Sequence, residues 1–243
     1  ADLLSLDSAK EKAGNLGFNP DNPQQISQST YSFPHKSVPS TFQINIVNGT
    51  FSISYNMSAD PSPLDRRPPA PEIGASYIRS FLSSANLLPS DLTGQITSQF
   101  LKAEGGQLVP AISLSDASVI KIGFFRKNYD ELPSLPPDPT LGNVWFLISG
   151  QMDKGKQVFA GESHYFPIDE SQSSTYPIKK PDTAWQELSS GSAFIASMGA
   201  NKDGDTVKIR RIYLAYYDAG VPSQFFQPIF VFEGDKSFIA YIP

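Results

Sequence analysis

The chain of 243 residues has no cysteine, which excludes disulfides, thiolate metal sites and a cysteine nucleophile together. It has two histidines, His35 and His164. Neither stands in a His-x-x-x-His spacing, so a metal site would have to recruit carboxylates from unrelated segments, and none is expected. No run approaches the ~20 apolar residues of a membrane span, and no charged start followed by an apolar core marks a signal peptide. Lys and Arg total 19 against 24 Asp and Glu, a net charge of −5, and the basic residues are scattered rather than gathered into a stripe. Without such a stripe the electrostatic term that dominates nucleic-acid binding is missing, so DNA and RNA are not expected as partners. There is no Gly-x-Ser-x-Gly elbow and no Gly-rich phosphate loop, and no cofactor is expected.

What is present points to β structure. Hydrophobic residues make up 40% and aromatics 12%, enough for a proper core. The 21 prolines exceed the usual ~5% share and favour short strands joined by rigid loops over long helices. The freedom from cysteine fits an oxidising compartment. The start at Ala1-Asp2-Leu3 and the stop inside a strand-like run at Pro243 read as a processed piece of a longer protein, its anchor or signal removed.

Ser8-Ala-Lys-Glu11 has the form of a capping box, which predicts a helix from about Ser8 to Leu16 that ends at Gly17. A strand is expected at Ser29–Phe33. A hairpin is expected from Phe42–Ile46 and Phe51–Tyr55, where apolar and polar residues alternate and Asn48-Gly49 offers the positive φ angles of a tight turn. Five prolines between Asp60 and Pro71 mark a linker. Pro71 opens a second helix with Ile73, Tyr77, Ile78, Phe81, Leu82 and Ala85 at helical spacing. Strands follow near 98–102, 107–114, 118–126, 143–149 and 156–166, with Leu132–Pro139 as a rigid surface loop. Pro181 opens a third helix, carrying Ala184, Trp185 and Leu188 on one side and stopped by Gly191. The strand-like segments 206–217, 227–233 and 237–242 complete the chain. The expected organisation is a unit at 1–59, the linker at 60–71, a central unit at 72–175 and a C-terminal unit at 176–243, each a helix followed by antiparallel strands.

Thr175-Tyr-Pro-Ile-Lys179, Ala184-Trp-Gln-Glu-Leu188, Ile212-Tyr-Leu-Ala-Tyr-Tyr-Asp218, Gln227-Pro-Ile-Phe-Val-Phe-Glu-Gly-Asp235 and Phe238-Ile-Ala-Tyr-Ile-Pro243 resemble the C-terminal part of YycI- and YycH-like proteins. The resemblance is carried by about the last seventy residues, extends in element order to Pro71 and thins before it. It implies an α+β fold of tandem PepSY-like units, each a helix packed on an antiparallel β-meander. It also implies a membrane-anchored, extracytoplasmic regulator of a bacterial two-component sensor kinase, and it transfers no catalytic residue.

The pairing of Ser163 with His164 brings nucleophile and base types together, but neighbouring strand residues face opposite sides of a sheet. Asn201, Asp203 and Asp205 start like a calcium loop but lack its later glycine and bidentate glutamate, so a turn is the plainer reading. Glu233-Gly-Asp235 reads as a β-turn with solvated carboxylates. The aromatic group of the last unit is harder to place, because alternation buries only about half of it on one sheet face. Either both faces are covered or some rings are exposed, and exposed rings would mark a partner surface. Tyr216, Tyr217, Phe225 and Phe226, flanking the loop 218–222, are the candidate partner-binding residues. The functional expectation is non-catalytic binding of a protein such as a kinase ectodomain or envelope component. The alternatives are a structural or glycan- or peptide-binding module, and a hydrolase with two carboxylates within about 10 Å in a cleft.

Overall fold

The computed structural model describes residues 4–175 and 177–243; Ala1–Leu3 and Tyr176, the residue at which the C-terminal unit was expected to begin, lie outside them. The protein is an α+β fold with few helices and large antiparallel sheets. In chain order the elements are α1 (Leu6–Asn15), β1 (Gln24–Gln25), β2 (Thr30–Pro34), β3 (Ser40–Asn45), β4 (Phe51–Tyr55), α2 (Pro71–Ser84), β5 (Ile96–Glu104), β6 (Gln107–Pro110), β7 (Val119–Phe124), β8 (Ser134–Leu135) and β9 (Val144–Ile148). The short α3 (Lys154–Gln157), β10 (Val158–Ser163), α4 (Pro181–Ser189), β11 (Phe194–Ser197), β12 (Ile209–Tyr217), β13 (Gln227–Gly234) and β14 (Phe238–Ile242) follow.

Nine strands form one sheet in the order β1-β2-β3-β4-β10-β9-β7-β5-β6. The pairing of β4 with β10 joins the strands of residues 1–59 to those of the central region, so both contribute to a single core. Helices α1 and α2 cover the same face: Ala9 and Ala13 from one, and Ala75, Ile78 and Leu82 from the other, pack with Phe33, Phe42, Ile44, Phe51, Ile122 and Phe146. Each buried Ile, Leu or Phe among them contributes roughly 1.5–3 kcal/mol. The buried stripe of α2 runs through Gly74, Ala75, Ile78 and Leu82, leaving Ile73 and Tyr77 exposed at its rim, although their spacing suggested burial. Lys12 Nζ donates to the carbonyls of Ala85 and Asn86, placing a cation at the C-terminal end of α2, where it offsets the helix dipole.

Two local expectations shift. The N-cap of α1 is Ser5, whose hydroxyl accepts from the Ser8 N–H at 3.1 Å; Ser8 lies inside the helix, so it forms no capping box with Glu11. The β3–β4 hairpin has the expected face, with Phe42 opposite Ile53 and Ile44 opposite Phe51. Its loop is longer than a two-residue turn, because Asn45 pairs with Thr50 and only Gly49 takes a positive φ, 76°. The Pro-rich stretch 60–71 lies against the sheet: Asp60 accepts from the Tyr55 hydroxyl, Lys156 bridges Asp60 and Ser62, and Pro63 is buried.

The second sheet has the order β11-β14-β13-β12-β8. Helix α4 covers one face with Ala184 and Leu188 over Phe230, Phe232, Phe238 and Ala240, and Trp185 stands 6.2 Å from Phe232. Residues 132–139 form no surface loop. Ser134, Leu135 and Pro136 are buried, β8 pairs in parallel with the end of β12, and Leu135 packs on Ala215, Ile229, Val231 and Tyr241. The second face of the sheet needs this cover, because Tyr241 would otherwise expose both its ring and a hydroxyl that instead donates to the Pro136 carbonyl at 3.1 Å. Both faces of β13 are therefore buried.

His35 gives the nine-stranded sheet a pH response. Its ring meets Phe18 edge-on at 5.2 Å and lies against Gly17 and Gly155, while Nδ1 accepts the Ser37 N–H. Partial burial holds its pKa below the usual imidazole value of 6.5; Asp153 opposes that shift and Lys36 adds to it. A depressed pKa means that the unfolded chain takes up the proton first, so stability present above pH 6.5 is lost as the pH falls below it. The expected result is a thermal midpoint that drops between about pH 6.5 and 5 by less in His35→Gln than in the parent chain, read by scanning calorimetry.

Candidate functional site

The loop between β12 and β13 is held at its root by a buried cation. Arg126, just after β7, extends Nη1 to Asp91 Oδ2 at 2.7 Å, Nε to Asp218 Oδ2 at 2.8 Å and Nη2 to the Phe166 carbonyl at 2.6 Å, and its guanidinium lies 4.2 Å from the centre of the Tyr165 ring. Burial alone would lower its pKa, but Asp218 and Asp91 more than offset that and raise it. Asp91 also accepts from the Tyr129 hydroxyl at 2.5 Å. Burial opposes its ionisation, yet the Tyr129 bond and the Arg126 charge keep its pKa lowered. Burial and Asp91 together push the Tyr165 hydroxyl up to about 12, which keeps it protonated. Two carboxylates do converge here, but both are held by one guanidinium whose donors are engaged within the protein, so neither is placed as a free acid or base.

From that root Asp218 fixes the loop. Its N–H donates to the Leu135 carbonyl, and its own carbonyl accepts Asn143 Nδ2 at 2.7 Å. Gly220, at φ 66°, lies against the Asn143 side chain, where a Cβ would collide with Oδ1. Beyond this anchor Val221 is 58% exposed and Phe225 71% exposed.

The four expected residues do not form one group. Tyr216 and Phe226 stack at 5.0 Å with an interplanar angle of 11°, and Tyr129 meets Phe226 edge-on at 5.3 Å. Tyr217, next along the strand, points to the opposite face and packs 6.1 Å from Tyr241, so it belongs to the core of the second sheet. Phe225 is the exposed tip. The Tyr216 hydroxyl reaches Asp130 Oδ2 at 3.3 Å, which brings a turn of two acids, Asp130 and Glu131, to the rim of the stack. Both acids have positive φ, 47° and 67°, a conformation that costs non-glycine residues of order 1 kcal/mol. Arg126, Asp91 and Tyr129 carried no motif in the sequence. Their only signal was an arginine directly after the apolar run Ile122-Gly-Phe-Phe125, where a lone charge must find buried partners.

The remaining chemical candidates are local pairs. Ser163 is buried and His164 exposed, as alternation requires, and His164 Nε2 lies 3.4 Å from Glu162. The run 201–205 is a turn closed by the Lys202 N–H on Asp205, which also pairs with Lys236. Glu233 and Asp235 are engaged by Tyr213 with Arg211, and by Arg210, respectively. Among the described residues no group of three or more His, Asp or Glu side chains is placed to hold a metal, and no helix is long and apolar enough to cross a membrane. A groove of about 230 Å³ beside β12 and β13 is lined mostly by Pro177, Ile178, Leu214, Pro228, Phe230 and Pro243.

No protein-family model and no curated protein matches the chain. Among solved structures, the Bacillus megaterium YpeB C-terminal domain is similar with a TM-score of 0.42 at 10% identity, over 96% of this chain and 88% of that one. A likeness of that size carries no argument about function.

Proposed function

We propose that the chain is a non-catalytic, PepSY-like interaction module of a membrane-anchored, extracytoplasmic bacterial protein, related to YycI- and YycH-like regulators. Its partner is another protein, with a sensor-kinase ectodomain or an envelope component as the fitting class. The observation that carries this reading is where the exposed apolar side chains fall. Among the described residues fourteen large hydrophobic side chains are exposed, and eight of them lie between Ile178 and Phe225, on the second sheet, its helix, the segment before it and the anchored loop. Exposed apolar side chains of this kind are what protein-binding surfaces present, and Val221 with Phe225 sets them on the anchored loop. A glycan platform would need free ring faces, whereas Tyr216 and Phe226 cover each other. The loop is also preorganised through Asp218 and Asn143, which lowers the ordering cost of binding.

A photo-crosslinking residue at position 225 in the membrane-anchored full-length protein is expected to give one protein adduct of defined mass in its own cells. The same residue at the exposed position Glu104, on β5, should give none. Phe225→Asp, read from a crosslinker at position 221, is expected to lower the adduct yield by about tenfold or more, the effect of losing a central apolar anchor. Equal adducts from 225 and 104, or no discrete adduct at 225, would overturn the reading.

A further inference from the structure

Four strands form the outer edges of the two sheets, and three of them are blunted. β1 has two residues, β6 ends in Pro110 and β8 has two residues within the junction. The fourth, β11, keeps four residues, Phe194-Ile-Ala-Ser197, paired on one side only with β14 through Phe194 opposite Tyr241 and Ile195 opposite Ala240. It has none of the usual edge guards of proline or lysine, and its one irregularity is a register shift between Ile195 and Ser197. No charged residue occurs from Leu188 to Asn201. Phe194 is 50% exposed on the Tyr241 face, and Ile195 is 42% exposed on the face that carries α4 and Trp185.

We infer that β11 is a self-association edge on which a second copy of this chain pairs antiparallel through the same four residues, joining two five-stranded sheets across a two-fold axis. Charge selects this occupant. With a net charge of −5, copies of the chain repel over most of their surface, whereas an uncharged edge meets its own image without like-charge contact. Side chains select it as well. An added strand finds an apolar neighbour on each face of the sheet, so it must itself be apolar on both faces, as β11 is. Four residues bury little area, so the dimer falls in the weak class below about 1,200 Å². The dimer would cover Phe194 and Ile195, two of the eight exposed residues on which the proposed function rests, but it does not use the loop at 218–226, so its failure would leave the crosslinking test at Phe225 unaffected.

Sedimentation equilibrium of the chain from about 10 µM to about 1 mM, the range in which a weak interface is partly assembled, tests it. The expected result is a reversible monomer–dimer equilibrium whose association constant falls at least about tenfold in Ile195→Lys and in Ala196→Pro. Ile112→Lys, at an exposed apolar position in the loop between β6 and β7, should leave it unchanged. Circular dichroism melts of each variant confirm the fold. A monomer throughout the range, a dimer indifferent to both edge variants, or a dimer weakened equally by Ile112→Lys would overturn the proposal.

Discussion

Arg126→Met is expected to destabilise the protein by about 3–5 kcal/mol, because it strands the buried Asp91 and the partly buried Asp218 without their shared counter-charge. The cost is large because Asp91 Oδ1 is already buried without a hydrogen-bond partner, so without Arg126 the Tyr129 hydroxyl would be left to face the Asp91 charge. Adding Asp91→Asn and Asp218→Asn removes the stranded charges and should recover part of the loss. The damage should also be distributed in a particular way. Arg126 ties the nine-stranded sheet to the loop of the five-stranded one, and each sheet has its own reporter: Trp145 on β9 and Trp185 on α4. In single-tryptophan variants the two urea midpoints are expected to coincide in the parent and to separate in Arg126→Met, with the Trp185 signal lost first. Coincident midpoints after the substitution would show that the two sheets are coupled through other contacts.

Phe146→Ala is the second large effect, about 3–5 kcal/mol by the usual cost of removing a buried ring. Phe146 has no exposed surface and lies 6.2 Å from Phe51, opposite Gly161 on the neighbouring strand. Gly161 is what lets the ring lie flat across β10, since a Cβ there would fall on the ring itself. Gly161→Ala should therefore destabilise through overpacking, by about 1–3 kcal/mol. In the double variant, with the ring gone, only the close approach of the added methyl group to the Trp145 carbonyl oxygen remains, so it costs less than it does alone. Denaturant titration of the four proteins gives the coupling energy, and strict additivity would contradict this packing account.

The sequence was informative where one period dominates. Phe42-Gln-Ile-Asn-Ile46 alternates so regularly that its buried face could be read directly, and Pro181 to Gly191 marked a short helix at both ends; α4 stops at Ser189 with Ser190 as its cap. It was silent where a residue's role depends on distant partners. Four prolines between Leu132 and Pro139 look like surface punctuation, yet Ser134 and Leu135 become a strand because the edge of β12 and the face around Tyr241 need cover that nothing nearby supplies. For the candidate site, the aromatic enrichment was visible and its partition was not. Strand alternation sends Tyr217 inward once both faces are covered, while Phe225 remains outside because it follows the anchored turn. The anchor is a contact between Arg126 and Asp218, 92 residues apart, which no local pattern encodes.

The parallel insertion of β8 bears on how the chain assembles. The second face of the C-terminal sheet is sealed by Leu135 and Pro136, and the closing bond from Tyr241 to Pro136 spans 105 residues. Contacts of that separation pay their loop-closure entropy late, so sealing this face belongs to the slow end of folding. Until then the newly made sheet presents Tyr241, Val231 and Ile229 to the solvent, so β13 and β14 depend on a two-residue segment made about a hundred residues earlier to become watertight.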